Sequence, residues 1–96
     1  MDDTITKAIK EVLEQVQEMS GRPTQTLLES TIPIGGLEGF DSLSSIEATV
    51  MIESKLGFDA DCDSLFISED GKKALTLDEV VDRVQTLLET QNVVYA

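Results

Sequence analysis

Apolar residues recur at Ile5, Ala8, Ile9, Val12, Leu13, Val16 and Met19. This three-and-four spacing stacks them along one side of an α-helix of about four turns. Asp2 and Asp3 precede the stripe and Ser20-Gly21-Arg22-Pro23 ends it, because glycine suits a left-handed C-terminal cap and proline cannot continue a helix. A second stripe, Leu77, Val80, Val81, Val84, Leu87 and Leu88, leaves Asp78, Asp82, Arg83, Gln85 and Glu89 for solvent. In front of it, Thr76-Leu77-Asp78-Glu79 reads as a capping box, so this last helix starts at Leu77. The tail from Gln91 to Ala96 is short and apolar, and either packs on the first helix or is loose.

Between these two stripes, Ser44 to Leu56 reads as a less tidy helix ended by Gly57. Ala48, Ile52 and Leu56 form one row with Ser45 and Thr49 beside it, while Leu43, Ile46, Val50 and Met51 fall on other sides. A helix apolar on more than one face is either deeply buried or presents apolar residues to a partner. From Thr24 to Phe40 the periodicity is lost, but Leu27, Leu28, Ile32, Ile34 and Leu37 are spaced through the stretch. A long loop with that aliphatic content folds back and buries side chains. After the second helix, Leu65, Phe66 and Ile67 form a short third helix with Phe66 anchored in the interior, and Ser68 to Lys73 is an exposed excursion around the turn signal Glu69-Asp70-Gly71-Lys72-Lys73. The expected architecture is a single domain over 1–96. It is an all-α four-helix bundle with three long helices, one short third helix, and a long loop between helices one and two.

Composition narrows the chemistry. With 41% hydrophobic residues, no Trp, three Phe and one Tyr among 96 residues, the core is mostly aliphatic. Nineteen acids against seven bases give a net charge of −12, which argues against nucleic acid or an anionic membrane and for basic protein surfaces as partners. The charge is uneven: Pro23 to Ser54 contains no Lys or Arg, yet holds Glu29, Glu38, Asp41, Glu47 and Glu53. A charged surface that only maintains solubility is the plainer reading of the same count. Cys62 is alone, so no intrachain disulfide is expected, and neither a signal peptide nor a membrane-crossing run is seen; the chain reads as cytoplasmic.

Asp59, Asp61 and Asp63, with Asp70 twelfth from Asp59, imitate a calcium-binding loop. The imitation fails at Ser64, where the turn calls for glycine, and at Asp70, which is shorter than the glutamate needed for bidentate reach, so no metal site is assigned. Cys62 reads as a small hydrophobe whose thiolate is suppressed by neighbouring carboxylates. Without histidine, a Ser-His-Asp triad and a His-containing metal site are impossible, and one cysteine cannot supply a thiolate zinc site. Lys55 lies thirteen residues beyond Ser42, about 19 Å along a helix and too far to act as its base. The chain is not expected to be an enzyme.

The passage with chemistry left to explain is Gly35-Gly36-Leu37-Glu38-Gly39-Phe40-Asp41-Ser42-Leu43. Glycines let another molecule approach the backbone, Asp41 is the natural N-cap, and Ser42 stands on the first turn. There the free N–H groups and positive dipole end favour a phosphate ester.

Gly39-Phe40-Asp41-Ser42-Leu43, followed by Glu47 and an acidic helix, resembles the acyl carrier protein family from about Ile5 to Leu88. The resemblance implies that Ser42 carries covalent 4′-phosphopantetheine, flanked by Asp41 and Leu43, and that the arm holds acyl intermediates as thioesters for fatty-acid, polyketide or related biosynthesis. It also implies a phosphopantetheinyl transferase (holo-ACP synthase) as one partner, and acyl ligases or synthases with basic docking patches as others. Leu43, Glu47, Val50 and Glu53 are the matching docking positions; the alternatives are that Leu43 and Val50 are ordinary core and that Glu47 and Glu53 are a solvated face. Ile46 and Met51 are expected as core or as lining of an attached-chain cavity, whose entrance Phe66 and Ile67 could instead shape. A monomer is expected. An aminoacyl or peptidyl carrier, or a small acidic interaction module without a prosthetic group, are the other readings. The segment from Leu65 to Leu75 is longer than the family pattern.

Overall fold

The computed structural model describes residues 3–22, 27, 28, 30–37 and 39–91. Four helices follow in order: α1 (Asp3–Met19), α2 (Pro33–Gly36), α3 (Ser42–Leu56) and α4 (Leu77–Thr90), with no strand among the described residues. The chain is therefore all-helical, as expected, and each long helix lies where its stripe predicts. The tail beyond Gln91 and the positions Glu29 and Glu38 lie outside the described residues.

Each end of the long helices has a local cause. At the close of α1 the Gly21 N–H donates to the Glu18 carbonyl at 3.0 Å and the Arg22 N–H to the Gln17 carbonyl at 2.9 Å. This paired closure needs the left-handed conformation that Gly21 adopts at φ 71°. Helix α3 is capped by Asp41 and ends at Gly57. At α4 the box is complete: the Glu79 N–H donates to Thr76 Oγ1 at 3.2 Å, and the Thr76 N–H to Glu79 Oε1 at 2.9 Å.

The core forms where the stripes of α1 and α4 meet the Ala48–Ile52–Leu56 row of α3. Helix α1 packs on both α3 and α4. The loop ahead of α3 folds back, as its aliphatic content predicts: Leu37 and Phe40 are buried, and Leu27 and Ile34 pack partly against the core. Leu28 and Ile32 depart from that expectation and stay exposed. The fold-back is also bonded to α4, since the Leu77 N–H donates to the Thr31 carbonyl at 2.7 Å. Helix α2 is one short turn within this loop, interrupted by non-helical dihedrals at Ile34 and Gly35.

The short helix expected at Leu65–Ile67 is absent, and the only short helix described lies before α3. The backbone groups it would need are committed elsewhere. The Leu65 N–H donates to Thr49 Oγ1 at 2.9 Å, the Phe66 N–H to Ser64 Oγ at 3.1 Å, and the Phe66 carbonyl accepts from the Leu75 N–H at 2.8 Å. The segment instead forms a small antiparallel excursion closed by an Ile67–Ala74 bridge, with an exposed tip over Glu69–Lys73. Phe66 does anchor the interior: it is fully buried, edge-to-face with Phe40 at 5.5 Å. It therefore belongs to the core. Replacing Phe66 with Ala should lower the unfolding free energy by about 3–5 kcal/mol, whereas Val50→Ala on the exposed side of α3 should stay within about 0.5 kcal/mol; urea titrations of the two variants check the contrast.

Candidate functional site at the start of α3

Ser42 is exposed at the first position of α3. Directly before it, the Asp41 carboxylate accepts from the Ser44 N–H at 2.9 Å, and the Asp41 carbonyl accepts from the Ser45 N–H at 3.0 Å. The amides of Ser42 and Leu43 stand where a helix offers no intrahelical acceptor. They therefore direct partial positive charge toward an anion at Ser42. The Ser44 N–H bond holds the Asp41 carboxyl below its ordinary range, against a smaller opposing effect of desolvation, and the charge of Arg22 contributes in the same direction as the bond.

From Leu43 onward the helix has two opposed sides. Ser45, Ala48, Thr49, Ile52 and Leu56 are buried, and about half a turn away Leu43 is 74%, Val50 58% and Ile46 41% exposed. At 100° per residue, positions 43, 46, 47 and 50 form one row, and Glu47 within it is exposed. Leu43 and Val50 are thus surface residues, not core. Ile46 joins them, against the expectation of burial, whereas Met51 packs partly on the core. Glu53 does not join the row's open surface: it is half-buried, and its Oε2 accepts from the Ala60 N–H at 2.8 Å, fastening the chain after α3.

Two supports of this site were invisible to motif reading. Beneath the first turn, Ser45 Oγ donates to the Ser42 carbonyl at 2.6 Å and Ser64 Oγ donates to Ser45 Oγ at 2.9 Å, both buried. The signal for Ser45 and Thr49 was their place beside the Ala48–Ile52–Leu56 row. The second support is Arg22, whose Nη1 donates to the Gly39 carbonyl at 2.6 Å; only its position as the last cation before Asp41 hinted at it.

Elsewhere, a cleft of about 770 Å³ opens between Ala60–Cys62, the excursion and α4, with Asp61, Glu69, Asp82 and Arg83 among its lining residues. Neither Ser42 nor Ile46, Met51, Phe66 or Ile67 lines it. Cys62 at its edge is half-buried, and burial pushes its thiol up; the Arg83 charge opposes this, and Glu53 and Asp63 reinforce it. Asp59 Oδ1 accepts from the Asp61 N–H at 2.9 Å, and among the described residues no group of three or more His, Cys, Asp or Glu is placed to hold a metal ion. Lys55, at the far end of α3, pairs with Glu11 of α1 at 3.1 Å. No described helix is long and apolar enough to cross a membrane.

No protein-family model matches the chain, and neither a curated protein nor a solved structure matches it significantly.

Because the folded state lowers the Asp41 pKa, the charged cap contributes stability above the unfolded value, and that contribution is lost as pH falls through the folded value. The melting temperature should therefore drop as pH is lowered below about 4, and the drop should be shallower in Asp41→Asn, which keeps a capping side chain without the titration; circular dichroism melts at stepped pH measure it.

Proposed function

We propose that this chain is an acyl carrier protein, modified on Ser42 with 4′-phosphopantetheine. The observation that carries the reading is an exposed serine at the first position of a fifteen-residue helix, behind an aspartate cap, at the head of an exposed row of Leu43, Ile46, Glu47 and Val50. When bound, the group supplies a thiol on a flexible arm that holds an acyl chain as a thioester.

The residues present fit that group. Ser42 Oγ is open to a transferase, and the Ser42 and Leu43 amides at the start of α3 suit an ester phosphate. In the transfer, Ser42 Oγ bonds to the pantetheine-bearing phosphorus of coenzyme A. The bond to the adenosine 3′,5′-bisphosphate portion breaks, and the serine proton passes to a base of the transferase. The chain itself needs no base, in keeping with its lack of histidine. The three long helices then act as a carrier bundle, monomeric and cytoplasmic, in which the 65–75 excursion takes the place of a short third helix.

Docking under this reading joins a small apolar centre, Leu43, Ile46 and Val50, to the carboxylates of Asp41 and Glu47. Glu53 is left out because it is committed to Ala60. Contacts of this kind associate quickly, release quickly and depend on salt.

Incubation with coenzyme A, magnesium and a broad-specificity phosphopantetheinyl transferase should add the mass of one phosphopantetheine to the wild type and none to Ser42→Ala. Failure with several transferases on folded protein moves the assignment to an acidic interaction module that uses the same row without a prosthetic group. Affinity for a partner synthase, read by fluorescence anisotropy, should fall about tenfold or more between low and high salt and again in Val50→Asp at unchanged melting temperature; salt-independent affinity sinks the docking scheme.

A further inference from the structure

Arg22 is the last cation before the stretch Pro23 to Ser54, which contains none. Its backbone is fixed by the closure of α1, where its N–H donates to the Gln17 carbonyl. From there its side chain reaches seventeen residues along the chain to the carbonyl of Gly39, at 2.6 Å. Gly39 is in the left-handed region at φ 69°, and a Cβ there would overlap the Nε, Cζ and Cδ atoms of Arg22. The guanidinium thus lies against the bare glycine Cα while bonding its carbonyl. Phe40 and Asp41 follow directly, the one buried with its N–H on the Leu37 carbonyl, the other capping α3.

We propose that Arg22 is a positioning residue for Ser42: by clamping the Gly39 peptide it fixes the loop that delivers the Asp41 cap and sets the direction in which the Ser42 hydroxyl leaves α3. This rests on the reading of Ser42 as the modified residue. A glycine-rich approach has more backbone freedom to lose than any other sequence. A transferase docking on an unclamped loop would have to order it during binding, and a small misplacement of an attacking oxygen is costly in rate. Lysine does not replace arginine here, because only the planar guanidinium offers a flat face to the glycine and a directed N–H to the carbonyl together.

The molecule contains its own control. Arg83 Nη1 donates to the Ile67 carbonyl at 2.6 Å, an equivalent clamp on the excursion after α3. Phosphopantetheine transfer should be measured for wild type, Arg22→Ala, Arg22→Lys and Arg83→Ala, resolving kcat from KM. Arg22→Ala should lose about tenfold in kcat/KM, with Arg22→Lys recovering less than half of the loss and Arg83→Ala matching wild type. Charge alone acts in the opposite direction, since removing a cation from a protein of net charge −12 favours a basic transferase. Arg22→Ala at wild-type kcat/KM, or Arg83→Ala slowed to the same degree, overturns the proposal.

A readout without the transferase separates this inference from the carrier reading. Amide order parameters from ¹⁵N relaxation at Gly39 to Leu43 should fall from about 0.85 toward 0.6 in Arg22→Ala and hold in Arg83→Ala. If they do so while the wild type accepts no phosphopantetheine, the carrier reading fails and the clamp stands; if they do not move, the clamp fails whatever the transferase does.

Discussion

Ser64 Oγ donates to Ser45 Oγ, and Ser45 Oγ donates to the carbonyl of Ser42, so the segment after α3 is bonded to the first turn of that helix through two buried side-chain oxygens. Thr49 Oγ1 extends the same seam: it donates to the Ser45 carbonyl at 2.8 Å and accepts the Leu65 N–H at 2.9 Å. Apolar packing alone would hold α3 against α1 without fixing its rotation or axial position, because contact between aliphatic side chains is not directional. Buried hydroxyls leave little such freedom, since each displaced bond leaves an unpaired polar group in the interior at a cost of about 1–3 kcal/mol. The row Leu43, Ile46, Glu47 and Val50 faces outward because the opposite side of the helix is bonded as well as packed.

The start of α3 is held from the other direction by elements that come earlier in the chain. The closed end of α1 presents Arg22 to Gly39, Phe40 is buried against Phe66, and the loop carrying both is bonded to α4 through Thr31 and Leu77. Ser42 is exposed at the junction of these restraints. Under the proposed modification, an exposed hydroxyl on a fixed base would suit the modifying enzyme, because the enzyme can supply the chemistry but not the substrate's geometry. The cleft between Ala60–Cys62, the excursion and α4 is not lined by Ser42 and has no part in holding it.

Much of this was legible in the sequence where one local rule decides the outcome. The Thr76–Glu79 box, the Gly21 closure and the Asp41 cap each depend on residues within a few positions of one another, and each forms as its pattern predicts. The two-sided character of α3 was also visible, although which apolar side would face solvent was not, because that depends on which rows α1 and α4 bury. The short helix at Leu65–Ile67 was misread for a related reason: its apolar residues fit a helix, but its amides are claimed by Thr49 and Ser64, and no local pattern records a bond made sixteen residues away. Ile46, expected to be buried, lies on the exposed row, and the Ala60 N–H bonded to Glu53 Oε2 comes from a residue seven positions on that no helical pattern points to. Arg22 was missed because its contact with Gly39 closes a loop of seventeen residues.

An exposed apolar row on a small protein invites association with itself, since burying three aliphatic side chains against another copy is as favourable as burying them against a partner. The charge distribution opposes that outcome. Asp41 and Glu47 flank or interrupt the row, and the sequence from Pro23 to Ser54 contributes no cation to offset them. Two copies brought row to row would place like charges together at the moment water is excluded, where their repulsion is least screened. For a basic surface the sign is reversed, so under the proposed docking the same carboxylates that discourage self-association would favour such a partner. Arg22 tempers this field without cancelling it: bonded to the neutral Gly39 carbonyl, its guanidinium keeps its charge and helps to lower the Asp41 pKa while it fixes the loop beneath Ser42.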